Sequence, residues 1–116
     1  MMTRDEHIAL LGRGAVSWNA WRAEHDAAPD LSSAALRGLD LSGFNLSRVD
    51  LRGADLRGTK CRDTNLSGAR IEGANLFKAV LDGANLAGAP PPGRLGWRGA
   101  RAESLQTAPL QPKRES

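Results

Sequence analysis

The sequence has no tyrosine, and only two phenylalanines, three tryptophans and one cysteine in 116 residues. So small an aromatic stock excludes a core built around large ring anchors and leaves Leu and Ala to fill the interior. The single cysteine, Cys61, excludes an intramolecular disulfide and suits a reducing compartment. No apolar run approaches the roughly 20 residues of a membrane-spanning helix. The opening MMTRDEHIALLGRG is broken by acids and a histidine and is unlike a secretory leader. A cytoplasmic protein without membrane association is expected. Charge of one sign is also lacking: the net charge is +3, made of −2 over residues 1–30, +2 over 31–89 and +3 over 90–116. That imbalance is too small to support nucleic-acid binding.

What is present is a repeat. From Leu31 onward every fifth residue is apolar: Leu31, Leu36, Leu41, Leu46, Leu51, Leu56, Cys61, Leu66, Ile71, Leu76, Leu81 and Leu86. At the observed apolar fraction, chance gives this run roughly 2 times in 100,000. Other columns keep the same step. Gly stands two residues after the centre at 38, 43, 53, 58, 68, 73, 83 and 88. Ala or Thr stands two before it at 34, 54, 59, 64, 69, 74, 79, 84 and 89. Asp or Asn immediately precedes it at 40, 45, 50, 55, 65, 75 and 85.

A period of five selects the backbone. A strand would flip successive centres to opposite faces. An α-helix would point them about 140° apart. A coil that turns a corner once per five residues points every centre inward, with Gly in the turn and a small residue closing the corner. Each side is then expected to be one short strand, stacked on the next coil at about 4.8 Å. Charge pairing does not choose between three and four sides. Asn45, Asn65 and Asn85 share a column only at a period of 20, which favours four sides and suggests a stacked amide ladder.

The runs LDLSGFNLSRVDLRGADLRG and NLSGARIEGANLFKAVLDGANLAGA resemble the pentapeptide-repeat family of bacterial proteins, whose motif is A(D/N)LxX. The resemblance implies an all-β solenoid, a right-handed quadrilateral β-helix, here of about three coils over residues 31–89. Leu39, Phe44 and Val49 are large where Ala is usual and are expected to fill the front end or widen the coil beneath a cap. Arg48, Asp63 and Lys78 replace Gly in an outward column, where the change is expected to cost little.

Both ends of an open β-helix need covering. Residues 1–30 read as a helical cap: Ile8, Leu11, Ala15 and Trp18 recur at near-helical spacing, with Trp21 one turn on. Gly12 and Gly14 allow one helix or two, Asp5 and Glu6 suit a helix start, and Pro29 ends the segment. Trp18 and Trp21 are expected to cover Leu31, Leu36 and the first coil. Residues 90–116 form a basic, Pro/Gly-rich tail, expected to be mostly disordered, with Leu95 and Trp97 available to fold back.

No catalytic set stands out, and no enzyme, cofactor or metal is expected. Cys61 lies in the inward column and should be an inert buried thiol. His7 and His25 have no partner ligands at metal spacing. The carboxylates recur every five residues for turn-forming reasons. One outward column, Arg37, Arg57 and Phe77, combines charge and an aromatic ring, as interfaces do. The expected function is a protein-interaction or scaffold module with an unknown protein partner, or a homodimer joined through the Leu86–Pro92 end. The alternative implied by the family is a DNA mimic acting on a type II topoisomerase, DNA gyrase. The short repeat and its positive charge disfavour it.

Overall fold

The computed structural model describes residues 2–25, 27–89 and 98–101. Two helices come first: α1 (Arg4–Leu11) and α2 (Ala15–Glu24). Thr3 opens α1 through a capping box, its hydroxyl accepting from Glu6 N–H while the Glu6 carboxylate accepts from Thr3 N–H. The segment Gly12–Gly14 separates the helices, and Gly14 makes the reversal at φ 103°, a region closed to most side chains. α2 stops at Glu24, five residues before Pro29, so proline is not what ends it.

The chain then coils. Parallel bridges join Asp30 to Asp50, Ala35 to Asp55, Asp40 to Lys60 and Asn45 to Asn65, and the same step continues to Asn65–Asn85. Each joins residues 20 apart, so the chain returns over itself after four five-residue sides. The expectation of a short strand on each side is corrected: among the described residues the pairing consists of isolated bridges. A two-residue turn on every side leaves one residue free to bridge.

The inward columns make the core. Leu31, Leu36, Leu41, Leu46, Leu51, Leu56, Cys61, Leu66, Ile71, Leu76, Leu81 and Leu86 are all buried. The small column fills the corners, and its two threonines satisfy their buried hydroxyls on backbone. Thr59 Oγ1 donates to the Leu56 carbonyl at 2.9 Å and Thr64 Oγ1 to the Leu41 carbonyl at 2.7 Å.

Two sequence expectations about side chains change. Asn45, Asn65 and Asn85 do share a column, but their Oδ1 atoms accept from the backbone N–H two residues on, at Ser47, Ser67 and Ala87. The nearby N–H competes successfully for the oxygen, so the column forms local Asx turns where an amide ladder was expected. Asp30, Asp40, Asp50, Asp55 and Asn75 do the same.

The turn column is less forgiving than its outward position suggested. Ser33, Arg48, Asp63 and Lys78 all hold φ between 57° and 61°. A left-handed conformation costs an ordinary L residue roughly 1–2 kcal/mol. These four never stack on one another. Over each lies a glycine of the next coil: a Cβ on Gly53 would meet Ser33, one on Gly68 would meet Arg48, one on Gly83 would meet Asp63, and one on Gly99 would meet Lys78. A side chain in this column therefore needs the bare backbone above it. Replacing Arg48 by Gly should stabilise the fold by about 1 kcal/mol, since it removes the left-handed strain. It also takes a cation away from Arg22, which Arg48 repels. Urea denaturation of the variant checks this, and a lower midpoint would refute it.

The cap closes the front through backbone chemistry. Trp18 Nε1 donates to the Asn45 carbonyl at 2.7 Å. Asn19 accepts from Asn45 N–H at 2.7 Å and donates to the Gly43 carbonyl at 3.0 Å. Arg22 donates to the Asn45 and Ser47 carbonyls at 3.1 and 2.9 Å, and Arg4 to the Ser32 carbonyl at 2.8 Å. These groups would otherwise be orphaned, because no coil precedes them. Trp18 is fully buried and packs on Phe44, with ring centroids 6.4 Å apart. Trp21 departs from expectation. It is only half-buried and turns toward the two histidines, stacked on His25 at 4.7 Å and edge-on to His7 at 5.5 Å. Phe44 and Val49 are buried as expected, whereas Leu39 is 38% exposed.

At the rear, residues 98–101 resume the stacking. Lys78 N–H donates to the Arg98 carbonyl, Leu81 N–H to the Arg101 carbonyl, and Arg101 N–H to the Ala79 carbonyl. The bridge is Val80 to Arg101, a step of 21. This short stretch of the tail thus pairs with the coil. Leu95, Trp97 and the other expectations for the tail lie outside the described residues.

Candidate interaction surface

Each side of the coil presents one outward residue between the Asx residue and the turn. On the 35–39 side that column reads Arg37, Arg57, Phe77 and then Arg98. Backbone bonds fix the order: Gly38 N–H donates to the Arg57 carbonyl, Gly58 N–H to the Phe77 carbonyl, and Lys78 N–H to the Arg98 carbonyl. The structure therefore brings together the three residues singled out from the sequence and adds Arg98. The missing signal was the slip of one residue beyond Gly88, which takes position 98 out of the period.

The column is held from below. Asp55 accepts from Arg57 N–H, and its carboxylate takes a bidentate pair of bonds from the Arg57 guanidinium at 2.8 and 2.7 Å. The guanidinium holds the Asp55 carboxyl down at about 2, so the pair stays ionised across physiological pH. Arg57 is thereby largely neutralised, while Arg37 and Lys78 add positive charge beside it. Phe77 is 39% exposed, with the Lys78 ammonium 5.4 Å from its ring centroid. Arg37, Gly38, Arg57, Gly58, Phe77 and Lys78 line a shallow groove of about 360 Å³. Its floor is bare because the turn column is Gly in two successive coils.

A second hollow, of about 760 Å³, lies beside the cap and is lined by His7, Trp21, His25 and Asp30 among others. Burial pushes the His7 imidazole below its usual range, partly opposed by the Asp30 backbone. Among the described residues, His7 Nδ1 and Arg22 Nε are buried without a hydrogen-bond partner. Among the described residues, no group of three or more His, Cys, Asp or Glu side chains could hold a metal ion.

Cys61 is buried, with its thiol against the Thr59 hydroxyl at 3.5 Å. Burial pushes the thiol up to about 11. The folded protein at pH 8 should therefore resist thiol-specific reagents and react fully in denaturant. Rapid labelling without denaturant would show that the coil opens at this side. No described helix is long and apolar enough to cross a membrane.

The pentapeptide repeats family profile matches in eight copies, over residues 30–60 and 54–89, just over half the chain. No curated protein matches the sequence. Among solved structures, the pentapeptide repeat protein Rfr23 from the cyanobacterium Cyanothece 51142 is similar at 34% identity and TM-score 0.53, covering 71% of this chain. The match takes in 52% of that protein, so this chain spans about half its length. Alr5209, a pentapeptide repeat protein from Nostoc Pcc 7120, matches at 29% identity and TM-score 0.41, over 71% of this chain and 83% of its own. QnrB1, a plasmid-mediated fluoroquinolone resistance protein, matches at 18% identity and TM-score 0.47, over 71% of this chain and 59% of its own. Those last two scores are too low to carry an argument about function. The repeating columns, the 20-residue bridges and the family match agree: this chain belongs to the pentapeptide-repeat family.

Proposed function

We propose that this chain is a non-enzymatic protein-interaction module of the cytoplasm, a right-handed four-sided β-helix of about three coils that binds a protein partner through the Arg37–Arg57–Phe77 face. The observation that carries this reading is the groove itself: an exposed ring flanked by cations over a bare glycine floor. Aromatic and arginine side chains are the residues that dominate binding energy at interfaces. The gyrase-directed alternative needs an acidic surface, and this column is basic. Self-association through the rear end is the other arrangement to consider. Residues 98–101 already occupy the rear edge at Lys78–Leu81, which leaves less of that end for a second copy.

The test is affinity capture from a host lysate with the intact protein and with the double variant Arg37→Glu, Phe77→Ala. A stoichiometric partner lost only from the variant supports the reading. A partner retained equally by both, or a monomer that captures nothing, refutes it.

A further inference from the structure

The first coil is sealed on three of its four sides. Arg4 takes the Ser32 carbonyl on the first side, and Trp18, Asn19 and Arg22 take the Gly43, Asn45 and Ser47 groups on the others. Among the described residues, the side running from Ala35 to Asp40 has no such cover. Lower in the coil the equivalent groups are all used: Asp55 N–H donates to the Ala34 carbonyl, Lys60 N–H to the Leu39 carbonyl, and the Asp55, Arg57 and Lys60 carbonyls accept from Leu36, Gly38 and Leu41. At the front edge, Ala35 and Asp40 have neither N–H nor carbonyl paired, and the Arg37 carbonyl is also unbonded among the described residues. Ala35, Arg37, Gly38, Leu39 and Asp40 are all exposed. Leu39 occupies an inward position, where the equivalent residues of later coils, Thr59 and Ala79, are fully buried.

We propose that the Ala35–Asp40 edge is a docking site for an extended peptide segment of a partner, which adds one further side ahead of the coil. Unpaired edge groups template strand addition, with backbone bonds giving affinity and side-chain columns giving selectivity. The columns state the chemistry of the occupant. A segment laid parallel on this edge places one residue against Arg37, the residue two later against Leu39, and the residue three later against Asp40. Charge complementarity calls for acidic, apolar and basic side chains at those positions. The Asp40 carboxylate accepts from Ser42 N–H, so it is held ionised and in place. Leu39 in place of a small residue gives the incoming apolar group a surface to cover. This inference rests on the reading of the chain as an interaction module; the edge shares Arg37 and Gly38 with the Phe77 groove but engages the partner through backbone groups of Ala35, Arg37 and Asp40.

The probe is the blocked peptide Ala-Ala-Glu-Gly-Leu-Lys, added to the full chain at up to about 1 mM, the weak end of measurable affinity. Amide hydrogen exchange should find Ala35 and Asp40 N–H fast in the free protein and slowed at least about tenfold by the peptide. A peptide with Glu and Lys exchanged should bind at least about tenfold more weakly, and Arg37→Glu should restore part of that loss. No protection at those two amides, or equal binding by a peptide N-methylated along its pairing edge, overturns the proposal. Failure here with Phe77→Ala alone, a residue off this edge, still losing its captured partner removes the edge site and leaves the interaction module standing.

Discussion

Replacing Trp18 by Ala should cost the fold about 3–5 kcal/mol, enough to unfold much of the protein. Trp18 is fully buried between α2 and the first coil, against Phe44, and is the largest enclosed side chain in the described structure. Its removal opens a cavity at the junction that holds the cap on the coil, with little to collapse into it because the coil's sides are tied by backbone bonds. The indole N–H is also lost from the Asn45 carbonyl, although Arg22 still serves that oxygen. A domain of this size has roughly 5–15 kcal/mol in total, so the variant should show an early or absent cooperative transition in urea. Trp18→Phe separates the terms: it keeps most of the volume and should cost closer to 1 kcal/mol plus a modest packing loss. Equal, small effects for both variants would mean that the cap is not coupled to the coil.

The second large effect is expected at Gly83. Its φ is 75°, and a Cβ there would run directly into the Asp63 carboxylate of the coil below. Gly83→Ala should therefore lose roughly 1–2 kcal/mol to the left-handed backbone and a further amount to the collision. Gly43→Ala has nearly the same φ, 76°, with open space around the added methyl, and should lose the backbone part alone. Asp63→Gly placed in the Gly83→Ala background should recover the collision, a coupling of about 0.5–3 kcal/mol in a double-mutant cycle. The absence of coupling would show that the turn columns of successive coils do not pack as described.

The same positions show what was legible in the sequence. The inward column was readable because burial acts on side-chain identity and returned every five residues without a miss from Leu31 to Leu86. The number of sides left a fainter trace, because the bridges are backbone to backbone: charges on the outer columns paired about as well either way, and only the Asn45, Asn65 and Asn85 column and the family resemblance favoured the four sides that the bridges show. Asn19 and Arg22 were overlooked for a related reason: their partners are carbonyls of Gly43, Asn45 and Ser47, and no side-chain pattern announces a carbonyl. Arg48, Asp63 and Lys78 looked inexpensive because exposure was considered and backbone angle was not. In the interaction face, Arg37, Arg57 and Phe77 followed from a period of 20. Arg98 did not, since the step of 21 between Val80 and Arg101 breaks the count. Leu39 was expected to be covered because its column is inward, and only its exposure in the folded chain shows otherwise.

The hydrogen bonds of the cap to the coil end on main-chain atoms. Five front-edge groups, the carbonyls of Ser32, Gly43, Asn45 and Ser47 and the Asn45 N–H, are engaged this way, and Phe44 is the coil ring against which Trp18 is fitted. Such a lid does not read the letters of the rod it closes. Transplanted ahead of another coil with the same four-sided step, the cap would need an apolar end to receive Leu11 and Trp18 and a large residue at the Phe44 position. Rods of different length and surface could then share one starting piece, with the outer faces free to differ while the seal at the front stays the same.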